Sequence, residues 1–333
     1  MPFPVAPADW LRRRYSYAAV LALTGVGVAF PAAAGLLLGV PLAVGMVVLG
    51  VAHGACDQWV VPAGAPSAGG WRYWLRFLAG YLGLAALVGV LWWQWPAATV
   101  GLFFVLTVWH WGSADAPAAT QVPRTWWLGH SLLRGLFLFA VPAWRWPAET
   151  ADVVNGLLTF AGAPTLGAAA FAGGVAGLGL LVGGGHLALW ALYARHRRWA
   201  WLTTELVEVA VLAALFVAVP PRLSVGVYFV FWHSLQHVLR MNHWLGYTAP
   251  RARPALLPQL AFFLRRAAPL LLVSCAALLG LGYLLAGRLP NPAAWFSLAL
   301  VVASVVTLPH ALLVTLVMDA GYWQRPQPNA TAG

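Results

Sequence analysis

Long apolar runs recur along almost the whole chain, at 16–38, 41–61, 73–94, 97–114, 126–144, 166–193, 200–219, 223–246, 258–286 and 294–318. A run of about 18 or more apolar residues is long enough to cross the hydrocarbon core as a helix. Inside that core only helices and closed barrels satisfy their own backbone polar groups. The pattern therefore predicts an all-α, polytopic membrane bundle of about ten transmembrane helices, plus or minus one. The run 97–114 is the shortest of the ten, and 150–163 is compatible with a further, interfacial helix.

Composition narrows the class. Hydrophobic residues make up 62% of the 333 and charged residues 8%, where soluble domains carry roughly a quarter charged. Arginine supplies the whole basic complement behind the net charge of +11, but nucleic-acid binding needs a basic face on a folded soluble module, and the sequence has none. The arginines are instead sorted by side: Arg12, Arg13, Arg14, Arg72, Arg76, Arg124, Arg195, Arg197, Arg198, Arg251, Arg253, Arg265, Arg266 and Arg325 fall on one face of the expected topology, and only Arg145, Arg222 and Arg288 on the other. By the positive-inside rule both termini are expected in the cytoplasm, with the protein multi-pass in the cell (inner) membrane. The apolar run after Arg14 is longer than the 7–15 residues of a signal-peptide core, so it is kept as a span. Cys56 and Cys275 both fall in spans and give no disulfide framework. One integral membrane domain, 1–323, followed by a disordered tail, 324–333, is the simplest division.

Histidine placement is the informative departure from apolarity. The second, fourth, eighth and tenth runs all travel from the outer side to the cytoplasm. His53 and His110 lie about 12 and 13 residues in, His233 and His237 about 10 and 14, and His310 about 16; at 1.5 Å per residue these depths agree within roughly 9 Å. Ionisable side chains at membrane depth need partners and mark function, and a shared transition metal would partner all of them. His233 and His237, in Trp-His-Ser-Leu-Gln-His, are four apart and share one helical face, the spacing at which a helix chelates a metal through two imidazoles. The metal site is therefore expected between the second, fourth and eighth helices, with the tenth as a further contributor.

Acidic residues accompany two of the histidines. Asp57 follows His53 by one turn and Asp115 follows His110; both are expected to accept a hydrogen bond from the imidazole beside them, as carboxylates behind metal-bound histidines do. Solvation at a span end is the competing account of Asp115. His310, preceded by Pro309, is a fifth candidate, as ligand, hydrogen-bond donor behind a ligand, or substrate contact. His130, His186 and His243 read as packing or interfacial residues and His196 as part of a basic loop. Imidazole suits iron, copper, zinc and nickel alike; four neutral histidines leaving positions open for dioxygen favour Fe(II).

Taken together, His-Gly-Ala-Cys-Asp at 53–57, Trp-His-Trp-Gly-Ser-Ala-Asp at 109–115, Trp-His-Ser-Leu-Gln-His at 232–237 and Pro309-His310 resemble the Brp/Blh family of bacterial and archaeal β-carotene 15,15′-dioxygenases. The resemblance runs from the second to the tenth span. It implies a membrane-embedded, Fe(II)-dependent enzyme that cleaves the central double bond of β-carotene with O₂ into two retinals, supplying retinal-binding rhodopsins. It also implies His53, His110, His233 and His237 as the four metal ligands. A substrate of this kind partitions into membrane lipid, and Trp109, Trp111, Phe229, Phe231 and Trp232, beside the ligands, are candidate tunnel-lining residues. Two alternatives stand against this reading. A membrane di-iron hydroxylase or desaturase would carry HxxHH boxes, which the chain lacks; a transporter would show internal repeats, and a haem protein a Soret band.

Overall fold

The computed structural model describes residues 7–60, 70–116, 123–248, 255–289 and 291–319. Among these residues there are helices and no strands. Helix α1 (Pro7–Ala29) leads through a 3₁₀ turn (Pro31–Ala33) to α2 (Ala34–Gly45), which continues as a π-helical turn (Met46–Val51) and a 3₁₀ run (Ala52–Trp59). Then come α3 (Trp71–Gln94), α4 (Pro96–Asp115), α5 (Arg124–Arg145), α6 (Pro147–Phe160), α7 (Ala168–Arg195) and α8 (Trp199–Ala218). Helices α9 (Pro221–Val227) and α10 (Leu235–Trp244) flank a π-helical segment (Tyr228–Ser234), and α11 (Leu256–Leu285) and α12 (Pro292–Leu313) complete the bundle, the last ending in a π turn (Val314–Met318). The expected tail 324–333 lies outside the described residues.

One device punctuates the chain three times. Phe30, Trp95 and Trp146 each precede a proline and hold closely similar backbone angles, φ between −139° and −129° and ψ between 58° and 64°. Proline drives the preceding residue out of the helical region and itself suits the first helical turn, so one aromatic residue separates α3 from α4 and α5 from α6. At Phe30 this corrects the expected first span, 16–38: the helix breaks at Pro31.

Seven helical runs among the described residues are long and apolar enough to cross a membrane, fewer than the ten expected. The expected spans outside that set overlap α1, α5 and 221–244, and their polarity has an identifiable source. Arg13 in α1, Arg134 in α5 and the His233/His237 pair turn into the bundle rather than toward lipid. At 14 residues, α6 is too short to span and covers most of the stretch read as interfacial. Outward-facing side chains are apolar, Leu180 being 79% exposed and Leu279 75%, a surface suited to lipid rather than to water. The molecule is a helical membrane protein.

Helices α4 and α5 cross with their backbones in contact. A Cβ on Gly112 would collide with the Ser131 carbonyl oxygen, and one on Gly135 with the Val108 carbonyl oxygen. Two glycines thus let the backbones touch, which fixes the height of His110 against α5.

Candidate metal centre

Five imidazoles from four chain segments converge in the interior. His53 comes from the 3₁₀ run after α2, His110 from the last turns of α4, His233 from the π-helical segment, His237 from α10 and His310 from α12. All are between 1% and 8% exposed. Ring centroids of His53 lie 4.8 Å from His310, 5.4 Å from His237 and 5.9 Å from His233. Those of His110 lie 4.9 Å from both His233 and His310, while His237 is 5.2 Å from His310 and 6.4 Å from His233. One nitrogen from each of His53, His110 and His310 falls within 4.8 Å of the other two.

Local helix geometry produces this convergence. Three π-helical stretches occur among the described residues, and each adjoins or contains a histidine of the cluster: 46–51 ends two residues before His53, 228–234 contains His233, and 314–318 starts four residues after His310. A π turn inserts a residue and rotates everything beyond it, so the first two stretches bear on the directions of His53, His233 and His237, while the third follows His310.

The hydrogen-bond pattern separates ring nitrogens with partners from those without. His53 donates through Nδ1–H to the Gly50 carbonyl at 2.6 Å. His310 donates through Nδ1–H to Asp57 Oδ2 at 2.8 Å, and the Tyr81 hydroxyl donates to the same oxygen at 3.1 Å. Both ring nitrogens of His110, His233 and His237, and Nε2 of His310, are buried with no hydrogen-bond partner. A buried polar atom left unpaired costs about 1–3 kcal/mol, and a common electron-pair acceptor would take one nitrogen from each of these four rings. Spacing agrees: imidazoles on one ion, with bonds of about 2.1 Å, have centroids about 4.6 Å apart at right angles and about 6.5 Å apart when opposed. The separations above, 4.8–6.4 Å, fall inside that window. The donor set fits a transition metal.

Asp57 is corrected in its partner. It was expected to hold His53, four residues back, but this stretch is a 3₁₀ run, in which residues four apart point about 120° away from each other. Asp57 therefore faces α12 and holds His310, while a backbone carbonyl takes its place behind His53. Asp115 is neither solvated nor paired with His110. It is 2% exposed, and its Oδ2 accepts from the Tyr228 hydroxyl and from Trp232 Nε1, each at 3.0 Å. It ties the end of α4 to the π segment that carries His233.

Behind Asp115 lies a second buried polar group, which the sequence reading did not assemble. Arg134 Nη2 donates to Glu205 Oε2 at 2.5 Å and to Glu208 Oε2 at 2.8 Å. Arg13 pairs with Glu208 and donates to the Asp115 carbonyl at 3.1 Å. His130 Nε2 lies 2.8 Å from Glu205 Oε2, and the His186 ring donates to the Val182 carbonyl. These two histidines pack within an ionic network joining α1, α4, α5, α7 and α8. The signal available in the sequence was charge within apolar runs, Arg134, Glu205 and Glu208 each needing a partner at membrane depth.

The candidate tunnel residues divide. Phe229 stacks on His233 at 6.1 Å and meets His53 edge-on at 5.7 Å, and Trp111 lies 5.8 Å from His233. Trp109 turns toward Trp127 and donates to Thr315 Oγ1. Trp232 is fully buried against Tyr17, and Phe231 packs between two apolar clusters.

Comparison with known proteins bears on this geometry. The family described as beta-carotene 15,15′-dioxygenase matches residues 44–318, a stretch that includes all five histidines. A curated relative, the "Probable beta-carotene 15,15′-dioxygenase Blh" of Halobacterium salinarum (strain ATCC 700922 / JCM 11081 / NRC-1), is 31% identical over 328 residues, covering 94% of this chain and 91% of the relative. No solved structure matches significantly. On the family match and this relative, the chain belongs to the beta-carotene 15,15′-dioxygenase family.

Proposed function

We propose that this membrane enzyme cleaves the central 15,15′ double bond of β-carotene with O₂, giving two all-trans-retinal molecules. We further propose that His53, His110, His233 and His237 hold Fe(II), with His310 completing the set or contacting substrate. As a family member the chain is an oxidoreductase of the dioxygenase type. The observation carrying the proposal is the convergence of five buried imidazoles, four of which hold ring nitrogens without hydrogen-bond partners among the described residues. Bound there, iron would supply the activation of O₂ toward an electron-rich double bond.

The protein's own groups do the rest. The Gly50 carbonyl and Asp57 hold the Nδ1 protons of His53 and His310, leaving Nε2 of each as the inward lone pair. Trp111 and Phe229 cover the His233 side with apolar rings and exclude water from it. One O₂ and one double bond yield two carbonyls, so the reaction needs no side-chain nucleophile and no net proton. The substrate is soluble in membrane lipid, which supports lateral entry to an active site at membrane depth. Arginine sorting supports cytoplasmic termini in the cell membrane, and the product suits a retinal-binding rhodopsin as its consumer.

In cells accumulating β-carotene, aerobic expression is expected to bleach the orange colour and yield retinal as the main product by chromatography, whereas cells carrying His237→Ala stay orange. Hydroxylated carotenoids with an intact chain would instead establish a hydroxylase. Unchanged carotene despite a loaded metal would establish a different substrate.

A further inference from the structure

From His233 a continuous row of aromatic rings runs away from the imidazole cluster along α4. Trp111 lies 5.8 Å from His233 and 5.7 Å from Phe229. Phe139 of α5 stacks parallel to Trp111 at 6.1 Å, an interplanar angle of 7°. Phe104 meets Phe139 at 5.3 Å, and Phe103 lies 5.7 Å beyond it. Trp111 and Phe104 are seven residues apart, two turns on one helical face, so the row extends about 10 Å beyond Trp111. All five rings are half-buried, whereas their neighbours Phe137, Leu138 and Tyr228 are closed off. At the far end Phe103 and Phe104 pack against the apolar cluster around Trp92, Val100 and Leu157.

The geometry points to this row as the subsite for one arm of the polyene, closed at Phe103/Phe104 so that its length sets which double bond lies beside the metal. This rests on the proposed function and adds to it the residues that fix the position of the cut. A conjugated chain offers no hydrogen-bonding group; it is bound by flat apolar contact, which stacked and edge-on aromatic rings supply. Half-burial leaves the row accessible to a lipid-soluble molecule, and continuity with His233 brings one end of the row to the reacting centre. Cleavage at any bond consumes one O₂ and breaks one carbon–carbon double bond into two carbonyls, so a shift of register changes only the lengths of the two aldehydes.

The test compares Phe104→Ala and Phe104→Trp with the unsubstituted protein, and with Trp93→Phe, a ring 86% exposed on the outer surface, as control. Phe104→Ala deepens the row and is expected to yield unequal apocarotenals at the expense of retinal. Phe104→Trp shortens it and is expected to cut β-carotene turnover at least tenfold, with metal content equal to that of the unsubstituted protein and with Trp93→Phe unaffected. An unchanged product ratio and rate in both Phe104 variants would overturn the subsite while leaving the proposed function standing. If either variant is poorly folded, Phe139→Leu, which keeps an apolar group of similar reach, is expected to raise KM with kcat little changed; an unchanged KM overturns the subsite. If the unsubstituted protein makes no retinal, the proposed function fails first, and β-carotene binding, read from its absorbance on the purified protein, decides the row: binding equal in Phe104→Trp and the unsubstituted protein overturns it, and at least tenfold weaker binding in the variant supports it.

Discussion

Asp57 shows how far a spacing rule carries and where it stops. Its position in the interior beside a histidine was legible, because a carboxylate in an apolar run has to have a partner. Its partner was not, since the four-residue rule assumes an α-helix and Ala52–Trp59 is 3₁₀. Where His310 completes the metal set, Asp57→Asn, which keeps an acceptor oxygen for it, is expected to weaken metal affinity by about 10–100-fold without abolishing binding, measured by metal titration of purified apoprotein. A loss as complete as that of His53→Ala would make Asp57 a direct ligand instead. Trp109 and Trp111, two residues apart on α4, divide for a related reason. Residues two apart on a helix lie on different faces, and only Trp111 shares the side of the cluster. Nothing in the sequence distinguished them.

Helices were legible as apolar runs, and most ends fell within a few residues of their expected positions. Three features escaped. The break at Phe30–Pro31 lies inside one continuous apolar stretch, where hydropathy carries no boundary and the proline alone marks it. The π turns before or around His53, His233 and His237 leave no compositional trace, so convergence of the five rings was readable only as shared depth. The α4–α5 crossing depends on Gly112 and Gly135 lying opposite each other's helix backbone, and neither flanking sequence announces it. Gly112→Ala is expected to destabilise the protein by about 1–3 kcal/mol, because a backbone carbonyl cannot rotate away from the added methyl. Thermal unfolding in detergent should show a clear drop in Tm, and an unchanged Tm would mean that the helices do not touch there.

At the scale of the molecule, two of the buried polar clusters among the described residues differ in kind. In the network around Arg134 the ionic groups pair with one another, two arginines against Glu205 and Glu208, which accounts for their burial as structure. Seven ring nitrogens of His110, His233, His237 and His310 have no such partner among the described residues, which structure alone leaves costly. Asp115 joins the two groups, linking α4 to the segment of His233 through Tyr228 and Trp232. The membrane class and the family were legible from composition and motifs; the ionic network was not, because its members lie up to 195 residues apart. Metal analysis of purified protein decides whether the histidine cluster holds one iron. About one iron per chain is expected in the unsubstituted protein, lost when His53, His110, His233 or His237 is replaced singly by alanine; full iron occupancy retained in any two of those four variants would rule out the four-histidine site.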